Sequence, residues 1–159
     1  MSAVLDRAAA PGRPQLARMQ PEDLDTVVAV EAAIYTHPWT RGNFVDALRA
    51  EYECWVWREA GELIGYFVLL VAAGEAHLLN FSVAAQHQRR GCGSALLEQV
   101  IGQARQMQAR SVFLEVRPSN LGAQRLYQRF GFRRVAVRRG YYPAPAGRED
   151  ALVYVLRLP

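Results

Sequence analysis

The chain has 159 residues, of which 51% are hydrophobic, and a formal net charge of +4. This length predicts one domain with a core that needs no disulfides, and the two cysteines are too few for a disulfide framework or a metal cluster. Every basic residue other than histidine is arginine, which excludes Schiff-base chemistry and the lysine of a P-loop.

Residues 1–14 are rich in Ala, Pro and Arg and predict a mobile N-terminal tail, whereas residues 15–159 predict a single domain. The tail lacks the apolar run of a signal peptide, and no segment is long and apolar enough to cross a membrane. Together with the cysteine usage, these features predict a cytoplasmic protein.

The first half of the chain predicts a short strand, two helices and then three strands. Residues 15–19 form the first predicted strand, and Pro21 opens a helix that continues to Ile34. A second helix is predicted from Thr40 to Leu48, and the three strands are predicted at residues 54–57, 63–71 and 77–83.

The second half predicts alternating helices and strands. Helices are predicted at residues 94–108 and 120–130, and strands at 111–116, 132–137 and 151–158. Residues 140–147, which are rich in Tyr, Pro and Gly, predict a loop between the last two strands. This order predicts an α/β fold with one mixed sheet of about six to seven strands and helices on both faces.

The run Gln-Arg-Arg-Gly-Cys-Gly at residues 88–93 lies between a predicted strand and the long helix. The N–H groups of a first helical turn attract anions, and glycine lets a phosphate approach the backbone closely. The run therefore indicates a pyrophosphate site, with Arg89 and Arg90 close by. A dinucleotide fingerprint is a competing interpretation, but Leu96 occupies the position of its third glycine. A helix start that binds no ligand is the other alternative.

Residues 80–93, the run Leu-Glu-Val-Arg-Pro-Ser-Asn at 114–120, and residues 126–127 and 130–132 together resemble the GNAT acetyltransferases. Residues 37–39, 138–143 and 149–151 are similar, more narrowly, to the bacterial ribosomal-protein-alanine N-acetyltransferases, the RimI group. The resemblance covers about residues 15–158. It implies that residues 15–159 form one GNAT domain, in which splayed central strands bind acetyl-CoA.

The resemblance also implies roles for individual residues. Glu115 is expected as the general base and Tyr127 as the general acid, with no metal ion. The expected contacts of acetyl-CoA are Phe81, Ser82 and Val83 through their backbone, Arg89, Arg90, Gly91, Cys92, Gly93 and Ser94 at the pyrophosphate, and Asn120 at the pantetheine arm.

The chemistry of amine acetylation agrees with these residue types. An α-amino group has an ordinary pKa of about 8, so a carboxylate is needed to accept its proton, and a tyrosine retains a proton at neutral pH. Structural alternatives stay open: Glu115 pairing with an arginine, Tyr127 in the core, Asn120 as a helix N-cap, and Cys92 as a small packing residue.

The resemblance implies that the acceptor is the N-terminal alanine amine of the eighteenth protein of the small ribosomal subunit. Its groove is expected to be lined by Trp39, Tyr141 and Tyr142, although packing alone is the alternative for each of them. Its positive charge is expected to be attracted by Glu149 or Asp150.

Another protein, a lysine side chain or a small amine remains an alternative acceptor. A third hypothesis is a non-catalytic module that binds acyl-CoA or docks on a ribosome, with a basic patch formed by Arg133, Arg134, Arg138 and Arg139. No direct contact with nucleic acid and no membrane association are expected.

Overall fold

The computed structural model describes residues 13–159, so most of the predicted N-terminal tail lies outside the described residues. Within this range the strands are β1 (Gln15–Arg18), β2 (Glu53–Glu59), β3 (Glu62–Ala72), β4 (Glu75–Val83), β5 (Ser111–Val116), β6 (Arg133–Ala144) and β7 (Gly147–Arg157). The α-helices are α1 (Leu24–Ile34), α2 (Arg41–Arg49), α3 (Cys92–Gln106) and α4 (Leu121–Arg129).

All seven strands belong to one sheet with the order β1-β2-β3-β4-β5-β7-β6. Neighbouring strands are antiparallel except β4 and β5, which are parallel. A parallel pair needs a crossover connection, and the long helix α3 provides it. The prediction of an α/β fold with a single mixed sheet is confirmed.

Two apolar clusters lie on opposite faces of the sheet. Tyr66 and Phe67 are neighbours on β3, so their side chains point to opposite faces. Phe67 packs in a cluster with Leu96 and Val100 of α3, whereas Tyr66 packs in a cluster that includes side chains from α1 and α2. The helices therefore cover both faces, as the sequence predicts. Among the described residues, no helix is long and apolar enough to span a membrane.

The segment predicted as a loop at residues 140–147 is mostly strand. Tyr142 pairs with Glu149 and Pro143 with Arg148, so β6 and β7 form a hairpin that continues to Ala144. β6 is an edge strand, where the missing N–H of proline costs little. The ladder is irregular between Arg138 and Tyr142, and the positive φ of 57° at Gly140 permits this distortion.

β4 and β5 separate after their first few residues. Their parallel pairs end at Leu78 with Leu114, although β4 continues to Val83 and β5 to Val116. An irregularity in the β3–β4 ladder coincides with this point, because the register shifts between Val68 and Leu69. The separation opens a gap near the centre of the sheet.

Candidate active site

A cavity of about 510 Å³ lies at this gap. It combines residues from α1, the α1–α2 connection, β4, β5, the start of α4 and β6. Six of its lining residues belong to the site predicted from sequence, namely Trp39, Phe81, Glu115, Asn120, Tyr127 and Tyr142. The structure therefore gathers the two predicted catalytic residues and part of each predicted binding set around one space.

The backbone of β4 presents polar groups on the side where β5 has ended. The N–H of Ala84 donates to the carbonyl of Ile64 at 2.8 Å, which makes Gly65 and Val83 a non-hydrogen-bonded pair of the antiparallel ladder. The backbone groups of Val83, and of Phe81 two residues earlier, consequently point away from β3 and toward the gap.

Ser82 differs from its two neighbours on β4. The alternation turns its backbone groups toward β3, where it pairs with Tyr66, and only 2% of the residue is exposed. Its hydroxyl lies 2.7 Å from Oδ1 of Asn80 and 2.7 Å from the hydroxyl of Tyr35. This arrangement argues against the predicted contact of acetyl-CoA with the Ser82 backbone.

The N-terminus of α3 has the features predicted for an anion site. Gly91 is the N-cap with a φ of 80°, and no side chain of residues 13–159 caps this helix. A Cβ atom at Gly91 would have no neighbour within 4 Å, so the backbone is open to solvent there. Arg89 and Arg90 are exposed, whereas Cys92, Gly93 and Ser94 are half-buried in the first turn. N–H groups in this turn are available to an anion.

Glu115 lies near the end of β5 with its side chain 26% exposed, and its Oε1 is 3.3 Å from Nε of Arg138 on β6. The predicted alternative of an arginine partner is thus present in the structure, although the carboxylate also lines the cavity. Tyr141 is close to both side chains. Burial, followed by the neighbouring Glu115 carboxylate, raises the pKa of Tyr141.

Tyr127 is buried on α4, and its ring centroid is 6.3 Å from that of Phe81 and 5.6 Å from that of Phe132. Burial, followed by the nearby Tyr35 and Tyr142, raises the pKa of Tyr127. The residue is therefore part of the core and also a protonated phenol at the cavity wall. The two predicted interpretations of Tyr127 do not exclude each other.

Asn120 is the N-cap of α4, as the structural alternative predicts. Its side chain accepts a hydrogen bond from the N–H of Ala123 at 3.1 Å. It also lines the cavity, so capping the helix does not remove Asn120 from the predicted site.

The predicted acceptor residues occupy different positions. Trp39 and Tyr142 line the cavity, whereas Tyr141 is 42% exposed and packs edge-on against Tyr142 with ring centroids 4.9 Å apart.

Glu149 accepts hydrogen bonds from Arg117 and Ser119. Asp150 forms an ion pair with Arg139 and accepts from the N–H of Gly140. Both carboxylates have partners within the protein, which does not prevent them from attracting a positive charge, so this role stays a prediction.

Beneath the cavity lies a buried polar network that the sequence motifs did not predict. Glu31 on α1 is 2% exposed. Its Oε1 accepts from the hydroxyl of Tyr66 at 2.6 Å and from Nδ2 of Asn80 at 3.0 Å, while its Oε2 accepts from the N–H of Trp39 at 2.9 Å. The available signal was position, because Glu31 follows Leu24 and Val27 on the apolar stripe of α1.

Tyr35 extends this network into the cavity. Its hydroxyl donates to the carbonyl of Phe81 at 3.1 Å and lies within hydrogen-bonding distance of Ser82. Burial raises the pKa of Tyr35 to about 12. Within residues 13–159, no group of three or more His, Cys, Asp or Glu side chains is arranged to hold a metal ion.

The chain resembles proteins of known family over most of its length. Residues 18–132 match the model of the Acetyltransferase (GNAT) family. The [ribosomal protein bS18]-alanine N-acetyltransferase of Escherichia coli (strain K12) is 32% identical over 141 residues, which are 89% of this chain and 95% of that protein. A protein of Bacillus subtilis (strain 168), described as a putative enzyme of the same name, is 32% identical over 137 residues, with 85% and 89% covered.

The crystal structure of the ribosomal-protein-S18-alanine N-acetyltransferase from Escherichia coli superposes with a TM-score of 0.85 at 31% identity. The superposition covers 91% of this chain and 94% of that one. The likeness therefore extends over nearly the whole of the described chain. Sequence and structure together show that the chain belongs to the GNAT acetyltransferase family.

Proposed function

We propose that this protein transfers an acetyl group from acetyl-CoA to the α-amine of an N-terminal alanine, and that its acceptor is the ribosomal protein bS18. The observation that carries the proposal is the cavity where β4 and β5 separate, which combines a carboxylate, a phenol and outward-facing backbone groups. The relatives suggest the acceptor, since they are alanine N-acetyltransferases of this ribosomal protein. A ribosomal acceptor implies a reaction in the cytoplasm.

GNAT acetyltransferases use acetyl-CoA, and the residues of this chain fit it. The backbone groups of Phe81 and Val83 would hold the pantetheine arm together with Asn120. The first-turn N–H groups of α3 at Cys92, Gly93 and Ser94 would hold the pyrophosphate, with Gly91 leaving space for it and Arg89 and Arg90 adding positive charge. When bound, acetyl-CoA supplies the activated acetyl thioester.

Glu115 is assigned as the general base. Its carboxylate lies at the cavity wall and accepts the proton of the acceptor ammonium, directly or through a water molecule. Arg138 contacts Oε1 of Glu115, and the carboxylate remains partly exposed beside it. The deprotonated amine is the nucleophile that the reaction requires.

Tyr127 is assigned as the general acid. Its buried hydroxyl remains protonated at neutral pH because its pKa is raised, and it can donate that proton to the leaving sulfur. Tyr127 lines the cavity in which the leaving sulfur would lie.

Trp39 and Tyr142 are assigned to the acceptor. They approach the cavity from different sides, Trp39 from the connection between α1 and α2 and Tyr142 from β6. Two aromatic walls with an open mouth suit the end of a peptide chain, whose remaining residues must lie outside. Tyr141 contributes at the outer rim through its contact with Tyr142.

Mass spectrometry of the protein incubated with acetyl-CoA and a peptide panel tests the proposal. The panel holds peptides identical except for residue one, together with a lysine-containing peptide blocked at its N-terminus, a polyamine and an aminoglycoside. We expect an added acetyl group only on the α-amine, with alanine the best first residue. Turnover of the small amines alone would replace this proposal with the alternative acceptor class.

A further inference from the structure

The end of the β6–β7 hairpin extends beyond the strand that supports it. The pairs between β5 and β7 run from Ser111 to Val116 on β5, where the last partner is Leu152. The pairs between β6 and β7 continue to Ala144 with Gly147. Residues 138–150, the hairpin arm, therefore project past the end of β5. A two-stranded hairpin is marginally stable by itself, so its position depends on side-chain contacts.

One ion pair fastens the hairpin arm to the connection between β5 and α4. Nη1 of Arg117 lies 3.2 Å from Oε1 of Glu149 and donates to the carbonyl of Pro143 at 2.8 Å. Glu149 also accepts from the hydroxyl of Ser119 at 3.0 Å and from its N–H at 3.3 Å. The side chains of Arg117 and Glu149 are 28% and 22% exposed, so the pair is partly shielded from water. We call these two side chains the clamp.

Arg117 of the clamp lies against Tyr142 and also lines the cavity itself. The guanidinium carbon of Arg117 is 4.4 Å from the centroid of the Tyr142 ring, a cation–π contact that also limits where the ring can lie. Arg117 follows Glu115 by two residues, and its carbonyl accepts from the N–H of Asn120 at 3.0 Å. Arg117 thus contacts Tyr142 in the proposed wall of the acceptor site. Its backbone lies in the segment that joins Glu115, the proposed base, to Asn120, the proposed pantetheine contact.

We propose that Arg117 and Glu149 are positioning residues that hold Tyr142 against the acceptor cavity. The inference rests on the proposed function, because it assigns the acceptor to that wall. Arg117 suits the task since its planar guanidinium can stack on an aromatic ring while donating in its plane to Glu149 and Pro143. Loss of the clamp frees the hairpin arm and weakens acceptor binding, but leaves Glu115 and Tyr127 in place.

The hairpin arm offers a matched control. Arg139 and Asp150 form a second ion pair at 3.0 Å in the same arm, but Arg139 is 86% exposed at its side chain and does not line the cavity. Arg139→Gln removes an arginine of the same arm without touching Tyr142. A general effect of lost charge or lost hairpin stability would appear in both variants.

Steady-state kinetics with an alanine peptide test the clamp in Arg117→Met, Arg117→Lys and Glu149→Gln. We expect the acceptor KM of Arg117→Met to rise about tenfold while kcat changes by less than about twofold, because only the approach of the acceptor is altered. The Kd of acetyl-CoA, measured by calorimetry, stays within about twofold, and Arg139→Gln matches the unaltered protein. Arg117→Lys keeps the charge but not the planar contact, so it recovers only part of the acceptor affinity.

A double variant separates the clamp from two independent contacts. Arg117→Met combined with Glu149→Gln should raise the acceptor KM no more than Arg117→Met alone, because each change breaks the same pair. An unchanged KM, a loss of kcat alone, or equal weakening of acetyl-CoA binding would overturn the proposal. A lower melting temperature with normal KM in the folded fraction would also reduce the clamp to a structural role.

Hydrogen exchange of the full-length protein provides a readout that needs no turnover. Amides of residues 138–150 should exchange faster in Arg117→Met and Glu149→Gln than in Arg139→Gln, and unchanged exchange would refute the clamp. If the unaltered protein acetylates another amine instead of the alanine peptide, the proposed acceptor fails, and the same KM comparison is made with that amine. If Arg117→Met does not fold, Arg117→Lys and Glu149→Gln carry the test.

Discussion

Nε of Arg138 lies 3.3 Å from Oε1 of Glu115 and joins the exposed edge strand β6 to the carboxylate at the cavity wall. The arginine side chain is 57% exposed and that of the glutamate 26%, so water screens the pair. Ion pairs of this kind contribute about 0–1 kcal/mol, which is too little to hold the carboxylate against an incoming ammonium group. Pairing with Arg138 and accepting a proton are therefore compatible roles for Glu115.

Glu115→Gln should lower kcat at pH about 7 by about 100-fold or more, because the amide cannot accept the proton of the acceptor. Binding of acetyl-CoA should remain, since the backbone groups of β4 and α3 are unaltered. Kinetics and calorimetry on the same preparation check both parts. Unchanged turnover would remove Glu115 from the mechanism, and Arg138→Gln reports separately on the loss of its partner.

Tyr127→Phe should retain the fold and the affinity for acetyl-CoA while kcat falls by at least about tenfold. The ring keeps its contacts with Phe81 and Phe132, so we expect the melting temperature to change little. Full activity in this variant would restrict the Tyr127 hydroxyl to packing. Phe81→Leu alters the same aromatic contact without removing a hydroxyl and serves as the comparison for packing effects.

The protein should lose stability in alkaline solution above pH about 10, the ordinary pKa of tyrosine. Burial raises the pKa of Tyr127 and of Tyr142, so the fold favours their neutral forms. Below pH about 10 neither state ionises these groups, whereas above it their ionisation in the unfolded chain favours unfolding. Melting temperatures from pH 8 to about 11 should fall less steeply in Tyr127→Phe than in the unaltered protein. Equal slopes would contradict the raised pKa of Tyr127.

Glu31→Ala should lower the free energy of unfolding by on the order of 3 kcal/mol, because it leaves the donors of Tyr66, Asn80 and Trp39 without their acceptor. Tyr66→Phe removes only one donor, the Tyr66 hydroxyl, and should lower the free energy of unfolding by about 1 kcal/mol. Denaturant unfolding curves measure both values. A cost for Glu31→Ala no greater than that of Tyr66→Phe would show that the network is worth little to the fold.

Gly91→Ala should weaken acetyl-CoA binding, and Gly61→Ala provides its matched control. Both glycines have a φ of 80° and open space around the missing Cβ, so alanine costs each about 1 kcal/mol of backbone strain. Gly61 lies in the turn between β2 and β3, whereas Gly91 caps the proposed pyrophosphate site. Calorimetry should find a higher Kd for acetyl-CoA only in Gly91→Ala. Equal Kd values would contradict a close approach of the pyrophosphate at Gly91.

The hairpin shows where local sequence signals are insufficient. Tyr-Pro-Gly composition is typical of loops, and it predicts a break after residue 137. The strand continues because Tyr142 and Pro143 find partners on β7 and because β6 lies at the edge, where proline loses no ladder bond. Neither the partners nor the edge position can be read from nearby residues.

The buried network shows the same limit for side chains. The position of Glu31 on the apolar stripe of α1 indicates an unusual carboxylate. Its hydrogen-bond donors cannot be predicted from position, because Tyr66 lies 35 residues and Asn80 49 residues further along the chain. The direction of the Ser82 backbone was likewise unpredictable from the residue itself, since it follows from the register of β4 against β3.

By itself the sequence determined the α/β class, most helices and strands and the glycine-containing turn before α3, and its resemblance to the GNAT acetyltransferases implied Glu115 and Tyr127 as candidate catalytic residues. Periodicity, turn chemistry and short runs are local properties, so they survive without knowledge of the partners. Only the tertiary structure decided which backbone groups face the gap, that Glu149 and Asp150 are already paired, and that Arg117 contacts Tyr142. These relations depend on strand register and on contacts between distant elements, which the residues nearby in sequence do not specify.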